Sequence, residues 1–202
     1  MSASEFSLKA FMLNVVLWLP LAFFLWFYLA PVLVAPVGWG VSGILALWPG
    51  ELFHGVVRDG YWLQVGVLLD LPEGLAIADI PVNPMLYGYG LPLIVGLVVS
   101  TPLAARHRLL QLLAGYLLVA MIQIWGVIWE CFRTLAFEMG EPGMVVQRAA
   151  GLPSEVIALA YQFGYLILPA VVPVAAWILF NRRFIEGVVN LGHETTGPPQ
   201  GQ

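Results

Sequence analysis

The stretch from Ala10 to Ala35, AFMLNVVLWLPLAFFLWFYLAPVLVA, contains no Asp, Glu, Lys or Arg. As a helix rising about 1.5 Å per residue it is long enough to cross a hydrocarbon core about 30 Å thick. Its apolar run far exceeds the roughly 7 to 15 residues of a secretory-signal core. Pro36 directly follows the small residue Ala35, where a cleavage site would otherwise lie. Residues 10–35 therefore read as a permanent membrane anchor.

The same pattern recurs downstream. Residues 84–104, 109–129 and 156–180 are each free of formal charge, and the 202-residue chain is 60% hydrophobic and 10% charged with a mean hydropathy of +0.88. The expected fold class is an all-α membrane protein, a bundle of four transmembrane helices. The basic residues set its orientation, because Lys and Arg near span ends are retained in the cytoplasm. With the N-terminus inside, Lys9, Arg106, Arg108, Arg182 and Arg183 are cytoplasmic and Arg58, Arg133 and Arg148 lie outside. This places residues 1–9, the turn at 105–108 and the tail 181–202 in the cytoplasm. The formal charge of -4, with only eight scattered basic residues, leaves no patch for a run of phosphates and excludes nucleic-acid binding. One cysteine, Cys131, and three isolated histidines, His54, His107 and His193, make neither a disulfide nor a zinc site. No metal and no cofactor is expected.

Two segments depart from the spanning pattern. Residues 37–48 are apolar, carry Gly38, Gly40 and Gly43, and stop at Pro49-Gly50. They are too short to span and read as an interfacial or re-entrant helix, with Trp39 and Trp48 at headgroup level, or as a continuation of the first span. Residues 49–83 read as a small β-rich module outside the membrane. Val56-Val57 and Tyr61 to Val65 flank Arg58-Asp59-Gly60, a hairpin around an Asp-Gly turn, and a second turn is expected at Leu71 to Gly74. A hairpin of this size is marginal alone in water, so it is expected to rest on the membrane or on a partner. Residues 130–155 form a second outside segment, and the tail from Asn190 reads as disordered.

The chemistry-bearing residues fall in two clusters. Asn83 to Leu93 reads NPMLYGYGLPL; Asn83 is a natural N-cap, Pro84 suits a first helical position, and Tyr87, Tyr89, Gly88 and Gly90 make a surface on which another helix packs. In the second, Gln123, Val127, Glu130 and Thr134 share a helix face, and Glu130 and Arg133 form an i,i+3 pair. The bland reading is an ion pair that ends the helix; the sharper one is a docking surface in which Arg133 holds a carboxylate or peptide carbonyl. Asn83 and Arg133 are expected at similar depth on adjacent antiparallel helices. Cys131 has no histidine between His107 and His193 to activate it, and reads as a packing residue.

An outside segment, a helix opening at residue 83, a basic turn at Arg106 to Arg108 and an arginine at the outer end of the next helix together resemble the core of exosortases, membrane transpeptidases acting on C-terminal sorting signals. In that family a cysteine opens the first of these helices and a histidine begins the last. Asn83 or a neighbour stands in place of the cysteine, no histidine occurs from Ser154 to Tyr161, and Arg133 alone has a counterpart. The chain is thus similar to the exosortase H-associated small membrane proteins. The resemblance rests on residues 83 to 140 and on the Leu-Trp-Leu-Pro run at Leu17 to Pro20. It implies a non-enzymatic accessory protein of the bacterial inner membrane with an exosortase-type partner. Two alternatives are a small thiol hydrolase or transpeptidase using Cys131, and a transporter or channel subunit, for which the in-span prolines Pro20, Pro92, Pro102, Pro169 and Pro173 argue.

Overall fold

A computed structural model describes residues 8–48 and 52–187. The ends of the chain, including the tail expected to be disordered, and the Pro49-Gly50 stop lie outside the described residues. Within them the chain is mostly helical, with one small antiparallel sheet.

The first anchor forms α1 (Leu8–Leu33), followed at once by α2 (Ala35–Leu45). The break falls between Pro31 and Pro36, where a missing backbone N–H interrupts the helical ladder. Val34 itself stays in the right-handed region (φ -78, ψ -19), donating to Ala30 O at 2.9 Å and accepting from Gly38 at 3.0 Å. Carbonyls near the break find side-chain donors instead: Arg58 donates to Pro31 O at 2.7 Å and Tyr116 to Leu33 O at 3.1 Å. The helix expected at 37–48 is thus a direct continuation of α1, its buried Val37, Val41 and Leu45 packed in the core with the sheet. Trp39 is exposed, whereas Trp48 packs at a tilt on Phe132 (4.9 Å, 51°) and donates to Ala150 O.

The hairpin expected after it is one half of a three-stranded meander, β1 (Phe53–Asp59), β2 (Trp62–Leu71) and β3 (Gly74–Val82), in the order β1-β2-β3. Asp59 pairs with Trp62 around Gly60, whose φ of +61 favours glycine. The second turn lies at Pro72-Glu73, where the sequence placed it, with Leu71 pairing Gly74. The third strand, GLAIADIPV, was not expected. Its inward positions include only the small Ala76 and Ala78 before Ile80 and Val82, and it contains Pro81, which a sheet tolerates on an edge strand such as this one. Leu63, Val65, Val67 and Leu69 of β2 alternate inward and join Phe132, Cys131 and Leu135 in one core.

Past the sheet come a 3-10 turn (Pro84–Tyr87), α3 (Gly90–Ser100) and α4 (Ala105–Phe137), then α5 (Gly140–Ala149) and α6 (Ser154–Gln162). A π-helical turn (Phe163–Ile167) joins α6 to α7 (Leu168–Phe180). Among the described residues three helical stretches are long and apolar enough to cross a membrane: Lys9–Leu33, Ala105–Phe137 and Ser154–Phe180. The sequence counted four spans; the remaining one, 84–104, contains only the 11 helical residues of α3, which rise about 16 Å. The Asn83-Pro84 start holds its first residues in a 3-10 turn that ends at Gly88, and the α-helix opens only at Gly90. The residues expected as a turn at 105–108 instead open α4, and the link is the short extended run after Ser100.

Contacts at the two ends of α4 orient the bundle. At one end Phe11 of α1 stacks on Trp177 of α7 (5.6 Å, 13°) and packs on Phe184 (5.5 Å). The first and last described helical segments therefore meet. At the other end the sheet and α5 pack on the second half of α4.

Candidate functional site

The expected cluster assembles where the sheet hands over to α3. Asn83 leaves β3 in an extended conformation (φ -102, ψ 98), and its Oδ1 accepts from Met85 N at 3.0 Å. That cap, with Pro84 in the first position, tightens the next four residues into a 3-10 turn. The turn aims Tyr87 into the bundle, where it is wholly buried. Its ring lies against the Cα of Gly126, so closely that residue 126 has no room for a side chain. The Tyr87 hydroxyl donates to Glu130 Oε2 at 2.7 Å.

One helical stripe supplies the partners. Gln123 and Glu130 are seven residues apart, two turns of α4, and both face the 84–90 segment. Gln123 Nε2 donates to Pro84 O at 3.0 Å, and its amide occupies the space that a side chain at Gly88 would take. Opposite, Tyr165 meets Tyr87 edge to face (6.2 Å, 78°) and stacks on Tyr161 (5.9 Å, 7°).

Arg133 is placed differently from the expectation, since no ion pair to Glu130 forms. Its guanidinium donates to Glu138 at 2.8 Å and lies 4.9 Å over the ring of Tyr161. The reason is local: α4 stops at Phe137, and the chain turns so that Glu138 comes back to Arg133, while Glu130 is already engaged by the phenol. Tyr87, Gln123 and Glu130 are therefore brought together with the Asn83 cap, and Arg133 joins them through Tyr161 and Tyr165. Tyr89 stands apart, lining a cavity of about 370 Å³ with Met85, Leu86, Tyr165 and Leu166.

Tyr161 and Tyr165 were missed. Their four-residue spacing puts two phenols on one helix face, a signal present in the sequence; that this face meets Arg133 and Tyr87 is tertiary. Cys131 is wholly buried in the core, packed with Phe132 and Leu135. Among the described residues no group of three His, Cys, Asp or Glu side chains is placed to hold a metal ion.

A second polar network, none of whose members was singled out as a site residue, lies at the opposite end. Gln111 and Asn181 exchange a reciprocal pair of amide hydrogen bonds (3.1 and 3.0 Å). Asn181 also donates to Trp177 O at 2.9 Å, Trp177 Nε1 donates to Thr101 Oγ1 at 3.0 Å, and Thr101 Oγ1 donates to Leu97 O at 2.7 Å. α3, α4 and α7 are thereby joined.

Compared with known proteins, the chain matches a family model described as Exosortase H-associated membrane protein over residues 5–184. No curated protein and no solved structure matches it.

Proposed function

Because the chain belongs to the exosortase H-associated membrane protein family, we propose that it is a non-enzymatic accessory subunit of an exosortase-type protein-sorting system in the bacterial inner membrane. It acts by helix packing and through a docking surface at the sheet-proximal end of the bundle, with both termini in the cytoplasm and the sheet outside.

One observation carries this reading. The polar side chains of the cluster are engaged within the chain, Tyr87 by Glu130, Gln123 by Pro84 O and Arg133 by Glu138, so they brace a shape and do not present a nucleophile and its base. What they brace is the cavity beside Tyr89, walled by the exposed Leu86, Tyr165 and Leu166. Apolar and phenolic side chains around a recess of this size accept a side chain of a packing helix and offer it a hydrogen bond. Arg133 and Tyr161 connect to it through Tyr165, on whose ring Tyr161 stacks.

The test is co-purification in mild detergent with an exosortase from the same cell. Wild type should be retained, and Tyr89→Ala combined with Leu166→Ala should lose most of the retained partner while inserting normally. Failure of wild type to associate, together with unchanged sorting after deletion, would sink the proposal.

A further inference from the structure

Five of the eight basic residues, Lys9, Arg106, Arg108, Arg182 and Arg183, sit at the starts or ends of the three long apolar helices. The fold gathers them. Phe11, two residues after Lys9, packs on Trp177 and Phe184. Asn181, immediately before Arg182-Arg183, is locked by two amide hydrogen bonds to Gln111, one turn past Arg108. Cations up to 174 positions apart, from Lys9 to Arg183, thus share one end of the bundle.

No described acid answers them. The ion pairs among the described residues are Arg133 with Glu138 and Arg148 with Glu141, both at the other end; the one described acid near the cluster is Glu186. Arg108 makes only a 3.5 Å contact to Thr101 O, and its Nε is buried without a partner, as is Ser100 Oγ at the end of α3. Lys9, Arg106, Arg182 and Arg183 are exposed. Like charges gathered at one end of the bundle repel, and the N-terminus of α4, with Arg106 and Arg108 in its first turns and no acidic residue there, adds positive potential. An acidic chain that concentrates its cations at the ends of its apolar helices is complementary to an anionic membrane surface.

We propose that this end is a binding site for the phosphate headgroups of anionic phospholipid, Arg108 and Arg182-Arg183 converging on the headgroup from α4 and α7, and Lys9 and Arg106 widening the field. The site stands independently of the exosortase reading. The affinity each exposed arginine adds near a bilayer surface is about fivefold.

The experiment uses the full chain in mild detergent, titrated with phosphatidylglycerol, with phosphatidylcholine of the same acyl chains, and with inorganic phosphate. Lipid retention is read by native mass spectrometry and stability by thermal unfolding. Phosphatidylglycerol should be retained and should raise the melting temperature, phosphatidylcholine should do neither, and high sodium chloride should weaken retention. Arg108→Gln with Arg182→Gln should lower the apparent affinity by more than tenfold, while Arg148→Gln at the other end should leave it unchanged. Equal retention of the two lipids, salt-independent retention, or equal loss in Arg148→Gln would overturn the proposal. Stabilisation by inorganic phosphate equal to that by phosphatidylglycerol would also overturn it, since the ligand would then be a free anion. Should the double variant fold poorly, the lipid preference and salt response of the wild type decide.

Discussion

At the scale of single residues, the Tyr87 to Glu130 hydrogen bond is the strongest candidate for a side-chain contact that holds the site. A side-chain hydrogen bond contributes about 0.5 to 1.5 kcal/mol net, and up to about 3 kcal/mol where one partner is charged, so Tyr87→Phe should lower stability in detergent by about 1 to 3 kcal/mol. Glu130→Gln, which keeps an acceptor, should cost less, and a double-mutant cycle on thermal unfolding checks whether the two couple. Gly126→Ala should be worse than either, because its methyl group would meet the Tyr87 ring. The Arg133 to Glu138 pair is half open to solvent (side chains 27% and 52% exposed), and such pairs are worth roughly 0 to 1 kcal/mol. Glu138→Gln should therefore barely move the melting temperature. If Arg133→Ala nonetheless weakens partner association and Arg133→Lys restores it only in part, Arg133 serves the docking surface; if Glu138→Gln and Arg133→Ala behave alike in both assays, it does not. Cys131→Ala should retain full sorting function, and its failure in a well-folded variant would revive the thiol reading. Asn83, Gln123 and Glu130 were legible in the sequence as polar residues at the ends of apolar runs. Their partners were not: Glu130 could have bonded Arg133 equally well by spacing, and only the burial of Tyr87 against Gly126 decided between them.

Among the elements, the Gly60 turn was readable because Asp-Gly needs no long-range partner to bend. β3 was not, since the alternating Ala76 and Ala78 look weakly apolar until β2 is laid beside them. The sheet is tied to the helices by Arg58, whose guanidinium reaches Pro31 O at the break between α1 and α2. Arg58→Ala should loosen the hairpin tip first, read as faster amide exchange at residues 58 to 62 with little change in global stability. Asn83→Ala removes the N-cap of the 3-10 turn and should cost about 1 kcal/mol, with a further loss in the Tyr87 bond that the turn aims. A stability change confined to the cap, leaving that bond intact by the double-mutant cycle, would show that turn and site are independent.

At the scale of the whole molecule, the path of residues 84–104 bears on how many times the chain crosses the bilayer. Residues 84–104 run alongside α4 from Tyr87, bonded to Glu130, to Thr101, in contact with Arg108, and along α4 those two points are about 33 Å apart at about 1.5 Å per residue. The segment thus has the reach of a crossing although α3 is short, its irregular start packed against α4 and α7, where non-helical backbone is tolerated. We expect four crossings and both termini on the same face. Single cysteines introduced near residues 5 and 195 in a Cys131→Ala background should label from the same side, and one introduced at Asp70 from the opposite side; termini labelling from opposite sides would mean three crossings. By itself the sequence determined what apolar runs and turn residues determine locally: a membrane protein, its long spans, the hairpin, and the polar positions that cap their ends. Hydrophobic length and backbone chemistry are properties of a few neighbouring residues. The tertiary structure alone decided which polar group meets which, the continuation of α1 into α2, the third strand, and the gathering of Lys9, Arg108 and Arg182 at one end, because each of these depends on contacts between segments far apart in the chain, which no local pattern records.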